Sequence, residues 1–397
     1  METIEGLTRS YRILEQKINR FEKCLEAASP SDKGCCTEVQ GSFKALRERV
    51  QNLRTDLKTF GTTIATLSPG SHYSESVMQS AMKCNGELEE AIQIHGYIVY
   101  HTKICKEKFY NTTIHAIQKF QNECLHLLTL IRPSLPKYPT LLVPYGYTPN
   151  AYIHTAPICV TTVPCIDLYC PLSWGTLAHE IAHTAIRGIP KTNREQHILE
   201  LKCDFWATIL VGPAFPIAFS LAYGSLPSKA RYKEIKPSHP FSETRLRFCE
   251  RVLMEGLGYP KDFIESIEKH YHYLFDYEPS TDVKTGISEI DKETAELMNE
   301  VMSLLSTPMI KEGVTTYGFT WDTWTDTHGG KNGAAGIAEQ LKKGRPLHAR
   351  LVRDLLNGLT YHILEDKQAN IHDEKLLAIL LESINNSQDA SVMYPAR

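Results

Sequence analysis

Apolar residues spaced three and four apart run through the first third of this chain and leave its backbone little choice but helix. Ile4, Leu7, Tyr11, Leu14, Ile18, Phe21 and Leu25 form one such series, and Leu46, Val50, Leu53, Leu57 and Phe60 form a second. Side chains at that spacing share one helical face and need a surface to bury it against. Ser29-Pro30-Ser31-Asp32-Lys33-Gly34 separates the two series and Ser68-Pro69-Gly70-Ser71 closes the second, since proline and glycine end helices. Leu88, Ile92, Ile98, Ile114, Ile117, Leu125 and Leu128 carry the pattern through residues 74–131. The expectation for residues 1–135 is an antiparallel helical bundle, its apolar stripes serving either as the bundle core or as a docking surface for a regulatory partner.

Composition then shifts. Pro133, Pro136, Pro139, Pro144 and Pro149 fall within 17 residues and read as a linker or an irregular entry into a second unit, residues 136–310. Tyr152 to Val163, rich in Thr, Val, Ile and Tyr, reads as a strand or hairpin. Helical patterning returns from Ser173, near 192–211, 241–257, 260–275, 286–305, 346–364 and 373–384. Gly313 to Gly336, with Trp321, Asp322, Trp324, Asp326 and Gly329-Gly330, reads as a long loop, either a lid or a disordered insertion, at the head of a C-terminal extension, 311–397. The fold class expected is mostly α with a small β-sheet.

Several functions are disfavoured on composition. A net charge of -3 and a sequence pI near 6.6 offer no basic surface for nucleic acid. The N-terminus has neither a cationic nor an apolar signal region, so no export is expected. Eleven cysteines, an odd number without framework spacing, fit core thiols in a reducing cytoplasm; Cys159, Cys165 and Cys170 lack the close-spaced pair of a zinc ribbon. Phe205 to Ala222 is uncharged over 18 residues, but Gly212, Pro213 and Pro216 break it. The expectation is a helix ending at Val211 followed by a short buried segment, with no membrane span.

The chemistry lies in Leu177-Ala178-His179-Glu180-Ile181-Ala182-His183, an HExxH arrangement in an apolar run that should stop at Gly188 and Pro190. Histidines four apart share one helical face, so both imidazoles can bind one zinc ion, with Glu180 beside it to accept a proton from water. A catalytic ion needs a third protein donor and an open position. The next helix begins with a capping box, Thr192-Asn193-Arg194-Glu195, and sets Glu200 and Asp204 four apart on one face. Glu200 is the natural third ligand, with His197 as its competitor, and Asp204 is placed to accept from the outward ring N–H of a liganding histidine. Ser238-His239-Pro240 and Arg245 lie at a further helix start, where His239 either points back into a cleft or merely caps.

Together these segments resemble the gluzincin group of zinc metallopeptidases, and most closely soluble relatives of the CAAX prenyl endopeptidase family. The blocks are Asn150-Ala151-Tyr152 with Ile158-Cys159-Val160-Thr161, then HExxH, then Glu200 with Asp204, then His239-Pro240 with Arg245, over residues 145–257. Sixteen residues separate His183 from Glu200, a spacing closer to thermolysin-like and aminopeptidase-like members than to the membrane-embedded ones. The resemblance implies a zincin-like catalytic domain, one Zn2+ per chain, and a strand in the 150s that pairs with an extended protein or peptide substrate. It also implies that His239 and Arg245 stabilise an oxyanion or orient a carboxylate ligand. A rival class is a helical interaction protein whose metal site is structural or vestigial.

Overall fold

The helical series fold as α1 (Ile4–Ala27), α2 (Thr37–Ala65), α3 (Glu75–Lys103) and α4 (Asn111–Ile131). Leu7, Leu14, Ile18 and Phe21 of α1 and Leu53, Leu57 and Phe60 of α2 are buried, so the stripes carry these helices by packing more than by propensity. The first three pack on one another. The computed structural model describes residues 4–27, 37–67, 75–103, 111–135, 140–144, 150–152, 159–164, 167–168, 170–186, 190–223, 240, 242–275, 292, 295–325, 333–345, 347, 351–365, 374–387 and 394, and over these the chain is mostly helical. None of their helices is long and apolar enough to cross a membrane.

Three short strands, β1 (Thr140–Pro144), β2 (Asn150–Tyr152) and β3 (Cys159–Val163), lie in the order β1-β3-β2. β1 runs parallel to β3, Thr140 opposite Cys159, and β2 runs antiparallel to it, Asn150 opposite Thr162. The proline-rich stretch expected as a linker or an irregular entry therefore contains a strand. Pro144 ends β1 on an outer strand, where a missing N–H leaves no gap in the ladder.

A 3-10 turn, Pro171–Thr176, runs without a break into α5 (Leu177–Ala185). Leu177, Ala178, Ile181 and Ala182 have no exposure, and α5 packs against β2, β3, α4 and α6 (Asn193–Val211). The helix ends at Ala185, with Ile186 as its cap, earlier than the expected stop at Gly188, which lies outside the described residues. Thr192 caps α6 by accepting from the Glu195 N–H at 3.2 Å, while Glu195 accepts from the Lys191 N–H at 2.6 Å; the Thr–Glu pair works as a capping box displaced by one residue. From Ile198 to Val211 all but one residue, Lys202, are buried. Gly212 ends the helix at φ 62, and a Cβ there would lie 2.7 Å from the Phe319 ring. Conformation and space both require glycine. The first helix ends at Val211 as expected, and the short buried segment after it is itself a helix, α7 (Ala214–Tyr223).

Later helices are α8 (Ser242–Arg251), continued by a π turn Val252–Gly256, then α9 (Lys261–Phe275), α10 (Pro308–Tyr317), α11 (Trp321–Thr325), α12 (Ala334–Lys342), α13 (Val352–Glu365) and α14 (Glu374–Asn385). The long loop expected at 313–336 is thus largely helical; its residues 326–332 lie outside the described set. Its glycines mislead because Gly313 serves packing. A Cβ there would lie 2.9 Å from the Ile131 backbone, so the bare position lets α10 close on α4. Trp324 is buried among Phe263, Tyr259 and Phe319.

α13 fastens the ends of the other helices. Arg353 donates to the Leu210 carbonyl at 3.2 Å and the Tyr317 carbonyl at 2.6 Å, at the C-terminal ends of α6 and α10. Asn357 donates to the Val211 carbonyl at 2.7 Å and accepts from the Ala214 N–H at 3.2 Å. These are the orphan groups every helix end leaves. The N-terminus of α13 is held by Glu123 of α4, which accepts from the N–H groups of Val352 and Arg353 at 2.8 and 3.1 Å. Burial pushes the Glu123 carboxyl up to about 7, against the pull of Arg353.

Because this carboxyl holds its proton more tightly folded than unfolded, its contribution to stability is full below about pH 4.5 and is lost as pH rises through about 7. Glu123→Gln should flatten that part of the stability profile, by about 3 kcal/mol at most. Urea midpoints of the two proteins across this window are the check, and parallel profiles would refute the assignment.

Candidate metal centre

α5 and α6 lie side by side and bring His179, His183 and Glu200 together, with one donor atom from each within 4.8 Å of the others. His179 Nε2 is 3.0 Å from His183 Nε2 and 3.2 Å from Glu200 Oε2, and His183 Nε2 is 3.5 Å from Glu200 Oε1. The three residues are 6%, 8% and 2% exposed, so water does little to screen the carboxylate. His197, the competing third ligand, is not part of this cluster.

Asp204 lies one turn beyond Glu200, and its Oδ1 is 2.8 Å from His179 Nδ1. In the neutral imidazole that contact puts the ring proton on Nδ1 and leaves Nε2 with its lone pair. The lone pair then faces a carboxylate oxygen, an arrangement that repels unless a positive charge is shared between them. The same demand shows in the His179 imidazole. Burial disfavours its charged form, yet Asp204 and Glu200 outweigh this and raise it to about 9. Glu200 is held well below the usual carboxylate range: burial opposes this, but the two histidines and Arg245 prevail. A buried group with this donor set can hold a metal ion.

Arg245 comes from α8 and closes on Asp204 with both arms of its guanidinium, Nε to Oδ2 and Nη2 to Oδ1, each at 2.7 Å. Forked pairs of this kind fix geometry as well as charge. Nη2 is also 3.6 Å from Glu200 Oε2, and the guanidinium lies over the Phe219 ring at 4.6 Å. The guanidinium thus fixes the Asp204 carboxylate in one orientation. Glu180 is partly exposed; burial, reinforced by the charge of Glu200 and opposed by the two histidines and Arg245, raises its pKa. His239 lies outside the described residues, as does Cys165, while Cys170 and Cys203 are buried thiols.

Sequence reasoning passed over two contributions. Gln196, half-buried, donates from Nε2 to Glu200 Oε1 at 3.0 Å; its place four residues before Glu200 on one helix was the available signal. Phe215 of α7 stacks on the His179 ring, centroids 6.1 Å apart and planes 5° from parallel. His183 Nδ1 is buried with no hydrogen-bond partner among the described residues.

No protein-family model matches this sequence, and no curated protein or solved structure matches it.

Arg245→Ala leaves the fully buried Asp204 carboxylate without the guanidinium that closes on both its oxygens, so we expect a loss of about 3–5 kcal/mol, read as a lower urea midpoint; an unchanged midpoint would contradict the buried pair. Gln196→Leu should weaken metal binding about tenfold or more in competition with a chelator. Equal affinity would make that contact incidental.

Proposed function

We propose that this chain is a zinc-dependent endopeptidase, with His179, His183 and Glu200 holding the ion. The observation that carries the reading is the convergence of two imidazole nitrogens and one carboxylate from two packed helices, the outer nitrogen of the first imidazole tied to Asp204. Two histidines four apart with a glutamate from the following helix are a donor set suited to zinc. The resemblance of HExxH and the Glu200–Asp204 block to gluzincins supports the same choice, and the α5–α6 pair beside a short mixed sheet is consistent with a zincin-like domain.

When bound there, zinc supplies a Lewis acid and brings the pKa of a water molecule on it towards about 7. The chain's own groups do the rest. Glu180, its basicity raised by burial, takes the proton of the attacking water and returns it to the leaving amine. Asp204, gripped by Arg245, keeps the His179 ring in one tautomer and one orientation. β2 is an outer strand among the described residues and packs on α5. An extended peptide added along it would bring its backbone beside the helix that carries Glu180. His239 is the group we assign to the oxyanion.

The test separates ligation from proton transfer. Purified wild type and Glu180→Gln should each hold one zinc by metal analysis, while His183→Ala holds none. With a proteome-derived peptide library, new termini should appear with the wild type and fall by about two to four orders of magnitude in rate with Glu180→Gln. Undiminished cleavage by that variant sinks the role of Glu180. Zinc held by a wild type that produces no new termini turns the reading to a structural ion in an interaction protein.

A further inference from the structure

Lys17 and Arg20 stand one turn apart on α1, 6% and 7% exposed, and each reaches a different element that backs the metal centre. Lys17 Nζ donates to the Ala222 carbonyl at 3.3 Å, in the last turn of α7, where helix carbonyls have no partner of their own. Arg20 Nη1 is 3.7 Å from Asp167 Oδ1. The Asp167 side chain also bonds the Ser173 hydroxyl, and its carbonyl accepts from the Trp174 indole at 2.8 Å. Ser173 and Trp174 belong to the 3-10 turn that becomes α5. That turn and α7 touch closely, for a Cβ at Gly175 would lie 2.9 Å from the Ala214 carbonyl oxygen. From this pair of elements the path to the site is one contact long: Phe215 stacks on His179, Phe219 lies under Arg245, and His179 is three residues past the turn.

We infer that α1 is a latch on the metal centre: through Lys17 and Arg20 it holds the 171–176 turn and α7 in place, and displacing it loosens the grip on the ion. The inference rests on the reading of His179, His183 and Glu200 as metal ligands. The residue types favour a latch over plain packing. Apolar side chains at 17 and 20 would seal the seam more firmly, because buried charges carry a desolvation cost. Lysine and arginine regain their hydration when the seam opens, so opening is easier than it would be for leucines. Coupling between two sites is reciprocal, so an ion that α1 tightens must itself tighten α1.

Zinc affinity, measured against a chromogenic chelator, should be about tenfold weaker in full-length Lys17→Ala/Arg20→Ala than in the wild type, with helix content unchanged by circular dichroism. Affinities agreeing within about twofold in a folded variant overturn the latch. A second arm needs no substitution: amide hydrogen exchange of the wild type with and without zinc. Slower exchange around Lys17 and Arg20 as well as in α5 and α6 supports the latch, and protection confined to α5 and α6 overturns it while leaving the metal reading intact. A wild type that binds no zinc overturns both.

Discussion

Asp204 carries a carboxylate that is wholly shut away from water, and such a charge is tolerable only because the Arg245 guanidinium closes on both its oxygens. One of those oxygens also fixes His179 through Nδ1. The ring therefore has one tautomer and one orientation, and Glu200, one turn earlier on the same helix, meets its free nitrogen. A pair of charges that sits behind the donors thus decides how they converge. Burial sharpens the arrangement, since in a low-dielectric interior neither partner has water as an alternative.

The rest of the fold keeps these two charges from moving apart. Asp204 is on α6 and Arg245 on α8, so their distance is set by how α6 is held at its ends. Its start is capped by Thr192 and Glu195, and its last carbonyls are taken by Arg353 and Asn357 of α13. α13 is held in turn by Glu123 of α4. Polar side chains buried between helix ends thereby replace the water that those ends would otherwise bind.

The parts of this structure that sequence made legible are those with a local period. The breaks between α1, α2 and α3 follow from apolar spacing and from the Ser-Pro punctuation, while no proline or glycine marks the one between α3 and α4; the two imidazoles share a face because they are four apart. Glu200 and Asp204 were legible for the same reason. What escaped was what depends on distant partners. Glu123, Arg353 and Asn357 look in sequence like ordinary polar positions on helices, and nothing local says that each meets a helix end more than a hundred residues away. Gly313 read as a breaker because a glycine that makes room for a neighbour is identical, in sequence, to one that ends a helix. Pro144 misled similarly, since an outer strand tolerates it.

The closeness of α5 and α6 along the chain bears on the order in which the protein is made. His179 and Glu200 are 21 positions apart, whereas Glu123 and Val352 are 229 apart, and closing the longer loop costs about 2 kcal/mol more chain entropy. By loop length the donor set is therefore a local contact and the clamps at the helix ends are non-local ones. A growing chain that has just passed Asp204 already carries all three donors but still lacks Arg245, 41 positions further on. Until that residue is synthesised, the acidic end of the young helix pair has to stay wet.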